Sequence, residues 1–192
     1  MGAETTDQDR FMVVIWPLLP LVLRTAGYLT RDTQLAEDLA QETMMKAYRA
    51  IDTFRPGTDA RAWVLTILRH AHHDALRARQ RQVSTTSLES DVAAEHDAAP
   101  ASHPPVNQAE AQALMERIDD QQLVDALRAL PEEIRWTLLL TQVEQMELAQ
   151  AAQVLDVPVG TIKSRLHRGR ALLRTALSAP HHPAARQAKV AP

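Results

Sequence analysis

The sequence predicts an all-α fold of two small helical domains joined by a flexible acidic linker, and three observations lead there. Ala, Leu, Gln, Glu and Arg dominate the periodic stretches, with no alternating strand pattern of useful length. Aromatic residues are only 4% of a chain that is 45% apolar, so the cores must be mostly aliphatic. From Val83 to Pro105 the composition turns to Ser, Thr, Ala, His, Asp and Pro, the mark of a linker poorly ordered when free. The 192 residues allow one domain or two small ones, at roughly 100–200 residues per domain. The expected divisions are a first domain over 10–82, a linker over 83–107, a second domain over 108–177 and a flexible tail over 178–192.

Taken in order, the first element is the apolar run Phe11 to Leu23, too short to span a bilayer and carrying Pro17 and Pro20. Its flank holds Glu4, Asp7 and Asp9, the wrong sign for a secretory leader, so it reads as a core helix with no stable membrane insertion. Thr33 can cap a helix running to about Ile51, with Glu37 and Asp38 suited to its first turns. Arg55-Pro56-Gly57-Thr58-Asp59 is a turn, and a long helix follows from about Ala60 to Gln82. Beyond the linker, helical pattern resumes near Gln108 and continues to Leu130, where Pro131 opens the next helix at its first turn. Residues 147–175 have the build of a helix-turn-helix, with a break at Asp156-Val157-Pro158.

Charge is distributed unevenly. Residues 1–83 carry 11 Lys/Arg against 10 Asp/Glu, residues 84–125 only Arg117 against 9 acids, and residues 126–192 carry 9 bases against 5 acids, within a net charge of −3. Arg61, Arg69, Arg77, Arg79 and Arg81 face the single acid Asp74 in one segment, and Lys163, Arg165, Arg168, Arg170 and Arg174 bunch in another. Two basic segments bridged by an acidic one suggest two contacts with a polyanion. The chain has no cysteine, which excludes disulfides, thiolate metal sites and thiol catalysis and points to an intracellular protein.

At about 100° per residue, Ile162, Leu166, Leu172, Leu173 and Ala176 fall on one face of the last helix, and Lys163, Ser164, His167, Arg168, Arg170 and Arg174 on the other. The apolar face would dock the helix while the basic face meets a major groove. Lys163, Ser164 and His167 lie near its N-terminus, where base edges are read; Arg170 and Arg174 lie where phosphates are reached. Leu130-Pro131, Arg135, Val143-Glu144 and the run from Pro158 to Arg170 (PVGTIKSRLHRGR) resemble region 4 of the extracytoplasmic-function (ECF) sigma factors. In that family this helix reads the −35 promoter element, so the resemblance implies a −35 set of Thr161, Lys163, Ser164, Arg165, His167, Arg168, Arg170 and Arg174. Three departures stand out: Gln150-Ala151-Ala152 replaces the usual Glu-Ile-Ala, Gln145 a common Gly, and Asp156 the turn Gly. Asp tolerates the left-handed geometry such a turn needs.

The segment from Ala36 to Arg49 resembles sigma region 2.2, with Asp38, Leu39, Gln41 and Glu42 matching and Met44 in place of the usual Phe. Asp38, Gln41, Glu42 and Met45 recur at three- and four-residue steps and share one helix face. The resemblance implies that Asp38, Leu39, Gln41, Glu42 and Met45 bind the β′ clamp of bacterial core RNA polymerase, the second domain taking the β flap. Phe54-Arg55, Arg61, Trp63-Val64, Ile67, Asp74 and Arg77 resemble regions 2.3 and 2.4, which capture and melt the −10 element. That implies −10 contacts from Arg61, Arg69, His70, His73, Arg77 and Arg81, with the loop from Thr53 to Asp59 holding a flipped base, while Trp63, on the apolar side with Ile67, reads as a core residue. His70 stands where the family often has Asn.

His70, His72, His73 and Asp74 also invite a metallohydrolase reading, but a His-x-His-x-Asp-His site needs a histidine at position 75, where Ala75 stands, so no metal, cofactor or catalytic residue is expected. A stand-alone helix-turn-helix regulator would leave the Asp38-Gln41-Glu42 motif unexplained and usually needs dimer symmetry. The resemblance therefore implies a cytoplasmic, non-enzymatic alternative sigma factor, partnered by core polymerase, promoter DNA and an anti-sigma factor. The linker acids Glu89, Asp91, Glu95 and Asp97 would suit the basic cleft and exit channel of the polymerase.

Overall fold

The computed structural model describes residues 6–30, 32–84 and 120–178. Seven main helices and no strand occur among the described residues: α1 (Asp7–Leu29), α2 (Thr33–Arg49), α3 (Ala60–Ser84), α4 (Asp120–Ala129), α5 (Glu132–Leu138), α6 (Leu148–Leu155) and α7 (Val159–Ser178). The linker acids, the helix start near Gln108 and the tail beyond Ser178 lie outside the described residues.

Two prolines shape α1. Pro17 and Pro20 have no N–H to give to Val13 and Trp16, so the ladder is redrawn around them. Phe11–Ile15 widens into a π turn in which the Trp16 N–H donates to the Phe11 carbonyl, and Trp16–Leu18 tightens into a 3-10 turn. The helix is longer than the apolar run in the sequence. It spans 23 residues with a mean hydropathy of 1.6 in its most apolar window, enough to cross a membrane by length and composition. Here its Ile15, Val22 and Ala26 are wholly buried against Leu39, Ala40 and Ala47 of α2 and Val64, Leu65 and Leu68 of α3.

The cap of α2 falls one residue earlier than expected. Asp32, not Thr33, takes the exposed N–H groups, its Oδ1 accepting from Gln34 at 2.7 Å and Leu35 at 3.3 Å. The helix closes at Arg49, and Ile51–Thr53 continues as a 3-10 turn. Asp59 caps α3 in the same way, accepting from the Arg61 and Ala62 N–H groups.

In the second half, Trp136, Leu139, Leu140, Val154 and Ile162 form the buried centre. Pro131 stands just before α5 rather than in its first turn, its carbonyl accepting from the Arg135 N–H at 2.9 Å. The helix runs on as a π turn over Leu139–Val143, and the chain reverses through Gln145 at φ 54°. Asp156 is left-handed as its residue type allowed, at φ 54° and ψ 50°. The Val157 N–H then donates to the Ala152 carbonyl at 3.0 Å, closing α6 with a Schellman turn.

The apolar face of α7 is narrower than the sequence suggested. Ile162, Leu166 and Gly169 are buried and Leu173 half-buried, whereas Leu172 and Ala176 are exposed. Those two sit at the edge of the stripe, where the neighbouring helices do not reach. Gly169 allows the close approach of α5: a Cβ there would lie 2.7 Å from Ile134 Cγ2 and 2.9 Å from Leu138 Cδ1.

Candidate functional site

The outer face of α7 presents Lys163, Ser164, His167, Arg168 and Arg170 to solvent, while Thr161, Arg165 and Arg174 are half-buried at its margins. The turn at Asp156 sets the angle at which this helix leaves α6, and the Thr161 and Ile162 N–H groups bond back to the Pro158 carbonyl. An open groove of about 530 Å³ runs beside the face, with Met146, Leu148 and Leu166 in it and Lys163, His167 and Arg170 along it. Arg170 donates to the Gln142 Oε1 at 3.1 Å, tying the basic face to the end of the π turn. A convex helix studded with cations and donors is suited to a major groove.

On α2, Asp38, Gln41 and Met45 are exposed and Glu42 is half-buried, so four of the five residues expected to meet the polymerase share an accessible face. Leu39 does not. It is 6% exposed and packs inward, because its position on α2 faces α1 and α3, so it positions the helix instead of touching a partner. Lys46 lies 3.6 Å from Glu42 and donates to Asp74 at 2.8 Å, joining α2 to α3. That hydrogen bond holds the Asp74 carboxyl below the usual carboxylate range.

The basic residues of α3 divide. His70, Arg77 and Arg81 are exposed, but Arg61, Arg69 and His73 already meet the second half. Arg61 Nη2 donates to the Glu144 carbonyl at 2.7 Å, and Arg69 Nη1 to the Val154 carbonyl at 2.7 Å. Glu132 Oε1 lies 3.1 Å from His72 Nδ1 and 3.7 Å from His73 Nε2. The facing His72 keeps the Glu132 carboxyl below its ordinary range, and burial pushes the His73 imidazole down. His72 is buried, its ring 6.0 Å from that of Trp136. Trp63 is half-buried with its ring 5.3 Å from Phe54, a packing role, while Thr53, Arg55, Pro56, Gly57, Thr58 and Asp59 of the adjoining loop are exposed.

Glu144 is the residue whose role the sequence concealed, since it stood only as part of a motif. Its side chain has no solvent exposure, and it accepts from Arg24 Nε at 3.2 Å, Arg24 Nη2 at 2.6 Å and the Thr25 hydroxyl at 3.1 Å. Arg128 and Arg135 cross in the other direction, donating to the Gly27 and Leu29 carbonyls at the C-terminal end of α1.

Comparison with known proteins gives one answer for both halves. The family model for Sigma-70 region 2 matches residues 16–82, and that for Sigma-70, region 4 matches residues 120–173. The ECF RNA polymerase sigma factor EcfG of Rhodopseudomonas palustris is 30% identical over 159 residues, covering 83% of this chain and 80% of that protein. The RNA polymerase sigma factor CarQ of Myxococcus xanthus is 30% identical over 170 residues, covering 88% of this chain and 90% of that protein. A crystal structure of the sigma factor RpoE with the anti-sigma factor NepR, from Bartonella quintana, superposes with a TM-score of 0.67 at 29% identity, covering 89% of this chain and 98% of that one.

Proposed function

This chain belongs to the ECF RNA polymerase sigma factors, and we propose that it binds bacterial core polymerase through α2 and reads a two-part promoter through α3 and α7. In this reading Asp38, Gln41, Glu42 and Met45 meet the β′ clamp, and the second half meets the β flap. Arg61, Arg69, His70, His73, Arg77 and Arg81 serve the −10 element; Thr161, Lys163, Ser164, Arg165, His167, Arg168, Arg170 and Arg174 serve the −35 element. The loop from Thr53 to Asp59 receives a flipped base, for which unstacking costs a few kcal/mol that contacts to the right base recover. The protein itself performs no chemistry and works in the cytoplasm beside the polymerase. An anti-sigma factor is its natural antagonist, as NepR accompanies the RpoE it resembles.

The observation that carries this reading is an accessible acidic face on α2 and an accessible basic face on α7 in one chain. A transcription regulator needing DNA alone has no use for the first. Titration of labelled protein with core polymerase tests it. Asp38→Lys and Glu42→Lys should each weaken binding roughly tenfold, about 1.4 kcal/mol, with helix content unchanged. Equal affinity for wild type and both variants would remove the polymerase-binding role of α2.

A further inference from the structure

The exposed face of α3 carries one charge of the wrong sign for a polyanion. Residues 61–81 hold Arg61, Arg69, Arg77, Arg79 and Arg81 but a single acid, Asp74. Asp74 is not set apart from the basic residues. His70 stands four residues before it, Arg77 three after it and Arg81 seven after it, so all four share one helix face. All four are exposed, and Asp74, Arg77 and Arg81 line one open groove of about 500 Å³ together with Gln80. A bare carboxylate at that place would repel a phosphate backbone brought up to the neighbouring cations.

The carboxylate is not bare. Lys46, on the neighbouring helix α2, donates from Nζ to Asp74 Oδ2 at 2.8 Å. The same ammonium lies 3.6 Å from Glu42, one turn earlier on its own helix, so two acids fix its place. The Lys46 side chain is 33% exposed and that of Asp74 60%, so the pair lies at the surface and adds little to stability. Its effect is on the field. The hydrogen bond holds the Asp74 carboxyl below its ordinary range and the Lys46 ammonium above its own, so the two charges persist together. We infer that Lys46 is a positioning residue for DNA: acting through Asp74, it cancels the single negative charge on the exposed face of α3 and lets that face accept a phosphate backbone. That the face meets DNA rests on the sigma-factor reading. Lys46 needs no DNA contact of its own for this role. A mere brace between α2 and α3 would use the same hydrogen bond, but the two roles part when the acid is neutralised.

The deciding experiment is capture of a labelled promoter fragment, carrying a start site mapped by run-off transcription, by holoenzyme at saturating core polymerase. Saturation removes any effect of Lys46 on clamp binding through Glu42. Lys46→Met should weaken capture about fivefold at low salt, and the gap should close as salt is raised. Asp74→Asn should bind as tightly as the parent or more tightly, and Lys46→Met combined with Asp74→Asn should return to within about twofold of the parent. Lys46→Arg keeps the charge and should match the parent. Lys46→Met combined with Glu133→Gln, which neutralises an exposed acid on α5 instead, should stay weak, so that recovery depends on place and not on net charge. Capture by Lys46→Met equal to the parent's overturns the role. So does Asp74→Asn as weak as Lys46→Met, the pattern of a brace, or equal recovery through Glu133→Gln. A parent holoenzyme that yields no mapped start site overturns the sigma-factor reading itself and the inference with it, and the parent alone decides that.

Discussion

On α7, Lys163, Ser164, His167, Arg168 and Arg170 face solvent, while on α3 Arg61, Arg69 and His73 meet the other half of the chain. The two helices are alike in composition: long, basic on one side and aliphatic on the other. Their situations differ because α6 and the turn at Glu144 offer carbonyl groups and a buried carboxylate to α3, whereas the cations on the outer face of α7 stay exposed even where Arg170 meets the Gln142 side chain. A basic helix face is therefore not yet a DNA-binding surface. Its availability is decided by partners distant in sequence, and the same guanidinium can satisfy a helix C-terminus or a phosphate.

The largest expected effect sharpens the open side of that comparison. Lys163→Ala and Arg168→Ala should each cost about 1–3 kcal/mol at the favoured −35 sequence and relax preference locally. Arg174→Ala should weaken every sequence alike and flatten the salt dependence. Binding across a library of −35 variants at several salt concentrations separates the two patterns.

Next comes the support beneath α7. Gly169→Ala forces a Cβ to 2.7 Å from Ile134 Cγ2, and Ile134 is itself buried. The overpacking should outweigh the gain in helix propensity and lower stability by about 1–2 kcal/mol, read from thermal or urea unfolding. Gln145→Gly should do the opposite on a smaller scale. It relieves a left-handed side chain at φ 54°, offset by a more flexible unfolded chain, for a net gain of about 0.5 kcal/mol.

The smallest effect belongs to the covered side. Burial depresses the His73 pKa below 6.5 despite Glu132, with Arg69, His72 and Arg77 pushing the same way as burial. A depressed histidine favours the folded contact while neutral, so that contribution is present above pH 6.5 and is lost as pH falls through the lower folded value. Melting temperature should therefore drop on acidification through this window, and His73→Gln should shrink the drop. A larger drop in the variant than in the parent would reverse the assigned sign.

Much of this architecture was legible in the residues. Helix formers without strand alternation, the Pro56-Gly57 turn and Asp156 at a left-handed break all act locally, through propensity and backbone sterics. Helical period placed Asp38, Gln41 and Met45 of α2 and Lys163, Ser164, His167, Arg168 and Arg170 of α7 on faces that are exposed. What escaped was non-local. Leu39 sits within a functional motif yet is buried, because α2 is enclosed by α1 and α3. Leu172 and Ala176 fall on the edge of an apolar stripe whose width depends on how far α5 extends. Glu144 looks like any surface acid until Arg24, 120 residues away, closes on it. Gln150 was visible only as a departure from a family pattern, and its meaning appears once Asp59 lies beside it.

The most direct measurement of the central claim is run-off transcription with purified core polymerase, this protein and a genomic template library. Start sites that appear only when the protein is added should share one motif near −10 and a second near −35 at a fixed spacing. Lys163→Ala should blur the second motif and leave the first sharp. Core polymerase that initiates no new transcripts with the protein present, or new start sites without a shared two-part motif, would contradict the account.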